Sequence, residues 1–491
     1  MIVSERRVPL VNKRKKLFRL TAVVLAGALL LQTTGCAEVA NYLHAEVSSG
    51  LTALSSSPSV QFDPSPSSSS APASSRASSG TAAASSRKSG VQSVKKVTPN
   101  AGDTGGQYEN IAKSGVSSTS YSFLAQCGGY QGLTDSTERN LYQLIGQSVS
   151  QISSQKDSAG YYPVRRVSSS GSVSEAKIRL ALMAYLNDNP QVFWIANAYS
   201  YGLSGAGTTL QMYSYLSPGD CSTAVKNFNS RLQAAVKSIP GGLSQFSREE
   251  SAFDYLISRC SYDDAAAADS SQWQAYTAYG ALVNGKAVCE GYSRAMQLLA
   301  SYTGLSCILI RGTGDGVNHM WNEINIDGQW YNLDVTWCDS DMLIYNYFNV
   351  TDAVLRQTHQ PGPLASSLAE SAVCGSNSQY NLLLPECTSA AANYFAVRGA
   401  SVTTIGSSGD SAVEQAVASR LKAGDTTIPF RISPSLNYDS TVSQMMTASP
   451  YKMWTYLEKA SALAGKSLNL QQTTYATDKN DRGINVQVTY Q

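Results

Sequence analysis

The chain has 491 residues, with 37 Lys+Arg against 35 Asp+Glu, three His and nine Cys; 43% of residues are apolar and 15% charged. At ~150 residues per domain this length suits about three domains and a sizeable core. A net charge of +2 excludes a nucleic-acid binder working by bulk positive field, and three histidines argue against a multi-histidine metal site.

Arg6, Arg7, Lys13, Arg14, Lys15, Lys16 and Arg19 precede an apolar run from Leu20 to Leu31. That run is too short for the ~20 residues of a membrane-spanning helix and is built like a secretory signal. Thr33-Thr34-Gly35-Cys36 resembles a bacterial lipobox, with Thr33 in place of the usual Leu. The resemblance implies removal of residues 1–35 and lipidation of Cys36, giving an extracytoplasmic protein anchored to the cell membrane; ordinary signal cleavage with Cys36 incidental is the alternative. Removing residues 1–35 takes away seven basic residues and one acidic one, so the remaining chain has 30 Lys+Arg against 34 Asp+Glu. Residues 36–105 are then expected to form a Ser-rich, disordered tether, because such composition buries too little apolar area to offset chain ordering. His44 lies in it.

From residue 106 to 243 the pattern is that of a helix-rich N-terminal domain. Leu141, Leu144, Ile145, Val149 and Ile152 share one helical face after Thr134 and Asp135, and a second helix runs from Ser174 to Leu186. Val192–Ile195 and Leu210–Leu216 read as strands, and Val225, Phe228, Leu232, Val236 and Ile239 mark a third helix ending before Pro240. A further segment, 244–365, opens on a capping-box match, Ser247 and Glu250, with the helix continuing to Cys260. Another helix begins at Cys289, and Cys307–Arg311 reads as a strand. Residues 370–491 are expected to form a small α/β domain. It has a Gly/Ser-rich loop at 405–410, helices over 412–422 and 445–464, and strands at 427–432 and 484–488.

Asp327-Gly328 is a strong hairpin signal, since both central positions of a type I′ turn need positive φ. With that turn Ile326 pairs with Gln329, His319 faces Thr336, and Trp321 faces Asp334. His319 and Asp334 are then diagonal neighbours, ~7–8 Å apart on one face and within reach of a hydrogen bond. One hairpin face, with Met320, Ile324, Ile326, Tyr331, Leu333, Val335 and Trp337, reads as core. The other, with His319, Trp321, Glu323, Asn325, Trp330, Asn332, Asp334 and Thr336, reads as the wall of an active site. Cys289 supplies a thiol at a helix start, where free N–H groups and a neighbouring imidazolium favour thiolate. The expected roles are Cys289 as nucleophile, His319 as base then acid, and Asp334 as orienter.

Ala287-Val288-Cys289-Glu290-Gly291-Tyr292, Asn318-His319-Met320-Trp321-Asn322 and Asp327 to Trp337 resemble the transglutaminase-like superfamily, across roughly residues 250–360. The resemblance implies an α+β, papain-like core, in which a helix bearing the Cys packs on an antiparallel sheet bearing His and Asp. It also implies acyl chemistry through a thioester on protein or peptide substrates, resolved by water or by an amine. Papain-like proteases carry a Gln six residues before the nucleophile to bind the oxyanion; here that position is Val283. Tyr262, Trp273 and Asn284 are the substitutes, Tyr262 being preferred because it opens a Tyr-Asp pair, and the Cys289 N–H is the second donor. His359, beside Gln360-Pro361, reads as a surface residue. Cys374 with Cys387, or Cys127 with Cys221, could pair, and no spacing suits zinc or calcium, so no metal or cofactor is expected. The competing reading is a non-catalytic extracellular binding or adhesion module that keeps the fold. A third possibility is that the flanking segments occlude the site.

Overall fold

A computed structural model of the chain describes residues 128–204, 207–374, 379–406 and 410–491. The expectations for the signal, Cys36, the tether and Cys127 lie outside the described residues. Among the described residues no helix is long and apolar enough to cross a membrane.

The first unit contains α1 (Ser136–Ser148), β1 (Tyr162–Pro163), β2 (Val167–Ser169), α2 (Glu175–Asp188), β3 (Ile195–Ser204), β4 (Gly207–Ser214) and α3 (Pro218–Ser238). Asp135 caps α1 in a reciprocal capping box with Glu138, and Leu141, Tyr142 and Ile145 face inward. Strand β4 pairs antiparallel with β1, β2 and β3, so this unit carries a sheet as well as helices. Val192–Trp194 is turn rather than strand; its apolar side chains are buried for packing, a pattern that short runs share with strands.

The second unit runs through α4 (Gln245–Ile257), β5 (Ser261–Tyr262), β6 (Lys286–Ala287), α5 (Cys289–Tyr302), β7 (Ser306–Gly314), β8 (Val317–Ile326), β9 (Gln329–Leu333), β10 (Phe348–Val350) and β11 (His359–Pro361). The cap of helix α4 lies three residues before the expected one, with Ser244 rather than Ser247 accepting from the first turn. The sheet order is β10-β9-β8-β7-β11, every pair antiparallel. Helix α5 lies on β7 and β8, and its Ser293 hydroxyl donates to the Met320 carbonyl at 2.9 Å.

The third unit holds β12 (Ala400–Val402), α6 (Asp410–Ala423), β13 (Thr427–Ile432), α7 (Tyr438–Met446), α8 (Lys452–Ala464), β14 (Thr474–Asp478) and β15 (Gly483–Gln487). Its sheet order is β12-β13-β15-β14, with β12 and β13 parallel. The single helix expected over 445–464 is two helices, because Pro450 cannot continue the first. One continuous hydrophobic core spans Leu133 to Phe395, across the first two units. A separate core runs from Ala400 to Val488.

Candidate active site

The β8–β9 hairpin turns at Asp327 (φ 51°) and Gly328 (φ 84°), both left-handed as a type I′ turn requires. Its register is the expected one, Ile326 opposite Gln329 through Asn322 opposite Leu333. The ladder then stops. Asp334 leaves the strand and caps a one-turn helix, Val335–Cys338, its Oδ1 accepting from the Trp337 N–H at 3.1 Å. The pairs His319–Thr336 and Trp321–Asp334 therefore do not form, yet Asp334 stays beside the hairpin and its Oδ2 lies 2.7 Å from His319 Nε2. The expected open polar wall is also corrected: Trp321, Glu323, Asn325 and Asn332 are buried. A small second core of Ile308, Ile310, Trp321, Val350 and Leu355, with Leu383 and Leu384 against it, covers that face.

Cys289 opens α5, with Val288 as the N-cap, and is partly exposed. Its sulfur is near enough to His319 to act on the charge of that imidazole. Since His319 Nε2 is held by Asp334, Nδ1 is the ring nitrogen left for the sulfur. The three residues read from the sequence as nucleophile, base and orienter are thus brought together. Burial opposes charge on His319, but the Asp334 carboxylate and the Cys289 sulfur outweigh it and raise the imidazole to about 10. Burial likewise opposes charge on Asp334, and is overcome by His319 and by two imidazole hydrogen bonds that hold the carboxyl well below its usual range.

The second imidazole is His359, which corrects its reading as a surface residue. It is 1% exposed, sits on edge strand β11 opposite Gly314, and places Nε2 3.0 Å from the same Asp334 Oδ2. Its Nδ1 lies 2.9 Å from the Thr358 hydroxyl. Trp337 packs against it with ring centroids 4.3 Å apart, and Trp321 at 5.1 Å. Two imidazoles thus converge on one carboxylate oxygen. Sequence pattern alone missed His359, since a three-residue edge strand ending in Pro has no alternation to read. The available cue was scarcity: of three histidines, one lies in the Ser-rich segment and one in the hairpin motif.

Of the three oxyanion candidates, Tyr262 is on β5 opposite Ala287, and its phenol senses the charge of Cys289. Burial, with Cys289 and nearby carboxylates added, pushes that phenol upward and keeps its proton. Trp273 stacks on Tyr215 at 4.5 Å, and Asn284 is exposed and donates to Gln274 at 3.0 Å. Next in sequence to Cys289, Glu290 is paired with Arg294 at 2.7 Å and approached by Arg311 at 3.8 Å, which neutralises its carboxylate.

Cys374 and Cys387 are free thiols rather than a disulfide, as is Cys221. Two groups of side chains bring three ligand-type atoms within 4.8 Å of one another: His319, Asp334 and His359, and Glu323, Asp352 and Cys387. In the first group both imidazoles already satisfy the carboxylate by hydrogen bonds.

The family model of the transglutaminase-like superfamily matches residues 233–335, a stretch that holds Cys289, His319 and Asp334. This segment is a transglutaminase-like domain with an α+β, papain-like core. Among solved structures the chain is similar to one described as "Crystal structure of a TGase", at 14% identity over 35% of this chain and 50% of that one, with a TM-score of 0.22. It is also similar to a "putative protease" from Parabacteroides distasonis ATCC 8503, at 9% identity over 59% of this chain and 55% of that one, with a TM-score of 0.21. The chain spans about half the length of each. No curated protein matches it.

Proposed function

We propose that this chain is a cysteine enzyme of acyl chemistry, acting on protein or peptide substrates through Cys289, His319 and Asp334. The observation that carries this reading is one carboxylate oxygen 2.7 Å from His319 Nε2, with Cys289 near enough to act on the charge of the same imidazole. Cys289 attacks an amide carbonyl through its sulfur, its proton passing to His319. The C–S bond forms as the carbonyl π electrons move to oxygen. That oxyanion is met by the Cys289 N–H at the start of α5 and by the Tyr262 hydroxyl. Collapse expels the leaving amine, which takes the proton from His319, and a thioester remains. Acylation removes the sulfur charge that helped hold the imidazole high, so His319, having given its proton to the leaving amine, stays neutral and is free to take a proton from water or from an acceptor amine. Attack on the thioester then returns Cys289. Water gives hydrolysis and an amine gives transamidation; we favour hydrolysis. No cofactor enters these steps.

Incubating the chain with a peptide library and a tagged amine tests this, the expected result being cut or tagged products that vanish in Cys289→Ala. The non-catalytic alternative requires that neither form and that iodoacetamide label Cys289 only near the ~8.5 of an ordinary thiol. We further propose an extracytoplasmic location with a lipid anchor at Cys36, supported by the basic and apolar runs before it. Metabolic labelling with a radioactive fatty acid, lost in Cys36→Ser, is the check.

A further inference from the structure

We propose that Glu323, Asp352 and Cys387 form a structural zinc site that fastens the connector to the third unit onto the outer face of the β7–β10 sheet. Their ligand-type atoms, one carboxylate oxygen from each acid and the Cys387 Sγ, lie within 4.8 Å of one another. They come from three separate places: Glu323 from β8, Asp352 from the start of the short helix Asp352–Leu355 after β10, and Cys387 from the segment whose Leu383 and Leu384 pack on that sheet face. Glu323 is 1% exposed, and its Oε2 has no hydrogen-bond partner among the described residues. An unpartnered carboxylate oxygen in a sealed interior costs stability unless a cation or a proton meets it. Arg356 is a weak candidate for that role: it lies 3.7 Å from Asp352 Oδ2 and is half exposed.

The donor set selects the metal. Thiolate with carboxylate oxygen suits Zn2+, whereas Ca2+ and Mg2+ take oxygen ligands. Separations of at most 4.8 Å close to the ~3.5 Å edges of a zinc tetrahedron by side-chain rotation, with Zn–S near ~2.3 Å and Zn–O near ~2.1 Å. Water takes the fourth position, on the side where Asp352 remains a quarter exposed. An outer shell is already in place. Asn332 Nδ2 donates to Asp352 Oδ1 at 2.9 Å and the Cys387 N–H to Asp352 Oδ2 at 3.2 Å, which fixes the carboxylate as ligating carboxylates require. From Asn332 the chain of contacts continues to the Trp321 indole at 3.2 Å, and Trp321 stacks on His319 with centroids 6.2 Å apart. Glu323 itself is four residues along β8 from His319. The site therefore braces the sheet face that holds the histidines, and it stands whether or not the catalytic reading does.

The test uses the full chain, stripped with a chelator, reloaded with Zn2+ alone, dialysed and analysed for metal by mass spectrometry. One zinc per chain and a melting temperature raised by several degrees are expected, with the metal lost in both Glu323→Gln and Cys387→Ser but kept in His359→Asn. Retention in the first two variants, or no tight zinc in the wild type, overturns the site and leaves Glu323 a buried protonated acid. Should one of the two variants fail to fold, the other decides. Co2+ in place of zinc gives a sulfur-to-cobalt charge-transfer band if Cys387 ligates, and its absence overturns the proposal.

Discussion

Asp334 holds two imidazoles on one oxygen while its other oxygen caps a helix turn, so each substitution there or at its partners has a separable consequence. Asp334→Asn presents an amide that can offer N–H instead of lone pairs to His319, fixing the wrong tautomer. Loss of a triad carboxylate in this way costs ~10⁴ in kcat, and alkylation of Cys289 at mildly acidic pH should slow in parallel. His359→Leu removes one charge-assisted hydrogen bond, each worth ~1.5–3 kcal/mol. It is expected to lower urea stability by about that much, with a loss of kcat of ~10-fold or more and KM unchanged; His359→Gln should restore part of both. The pH dependence has a definite sign. His319, raised from 6.5 to about 10, contributes stability that is fully present below 6.5 and is lost as pH rises through about 10. Asp334, held below its ordinary 3.8, contributes stability that is present above 3.8 and is lost as pH falls. Stability from the pair is therefore greatest between 3.8 and 6.5. Urea midpoints measured across pH should show both slopes, and Asp334→Asn should flatten them.

Elements differ in how much they owe to local sequence. The β8–β9 register follows from Asp327-Gly328, because a two-residue turn with both φ positive admits one pairing, and the structure keeps it for five pairs. Where the strand ends was not legible. Asp334 fits the alternation as well as any strand residue, and only its capping bond to Trp337 takes it out of the ladder. Burial of the hairpin's polar face was hidden for a different reason, since the segments covering it come from residues 350–387. Strand β11 shows what such covering does. A Cβ at Gly312 would lie 2.2 Å from the Gln360 carbonyl oxygen, so Gly312→Ala should push β11 off β7 and carry His359 away from Asp334. Gly328→Ala, by contrast, meets nothing within 4 Å and should cost only the ~1–2 kcal/mol of a left-handed φ. Denaturation and Cys289 alkylation measured together should thus separate the two. Both variants lose stability, and only Gly312→Ala loses reactivity.

At the scale of the whole molecule, the site motif is contiguous in sequence but the framework that supports it is not. Residues 250–337 contain Cys289, His319 and Asp334, the three residues proposed to carry the chemistry, which is why the candidate site was legible. The packing around them is assembled from distant stretches with no local signature. Phe193 packs against Tyr279 with ring centroids 4.7 Å apart, and Arg294 donates to the Leu186 carbonyl at 2.8 Å. Asp188 accepts from the Gly129 N–H at 2.7 Å, closing the first unit on itself. From the other side Tyr394 stacks on Tyr345 at 3.6 Å, Arg398 pairs with Glu250 at 2.6 Å, and the Tyr345 N–H donates to Asn485 at 3.2 Å. Because the first core runs unbroken from Leu133 to Phe395, a fragment of residues 245–365 would expose apolar faces of α5 and the sheet that nothing in the fragment can cover. It should therefore lack a cooperative thermal transition, which makes it unsuited to asking whether the flanks occlude the site. The third unit has its own core and meets the rest through polar and aromatic contacts. Ending the chain after Arg398 should consequently lower the melting temperature yet keep a single cooperative transition and the reactivity of Cys289. Loss of all cooperative unfolding in that truncated chain would show that the third unit is part of the fold that holds the site.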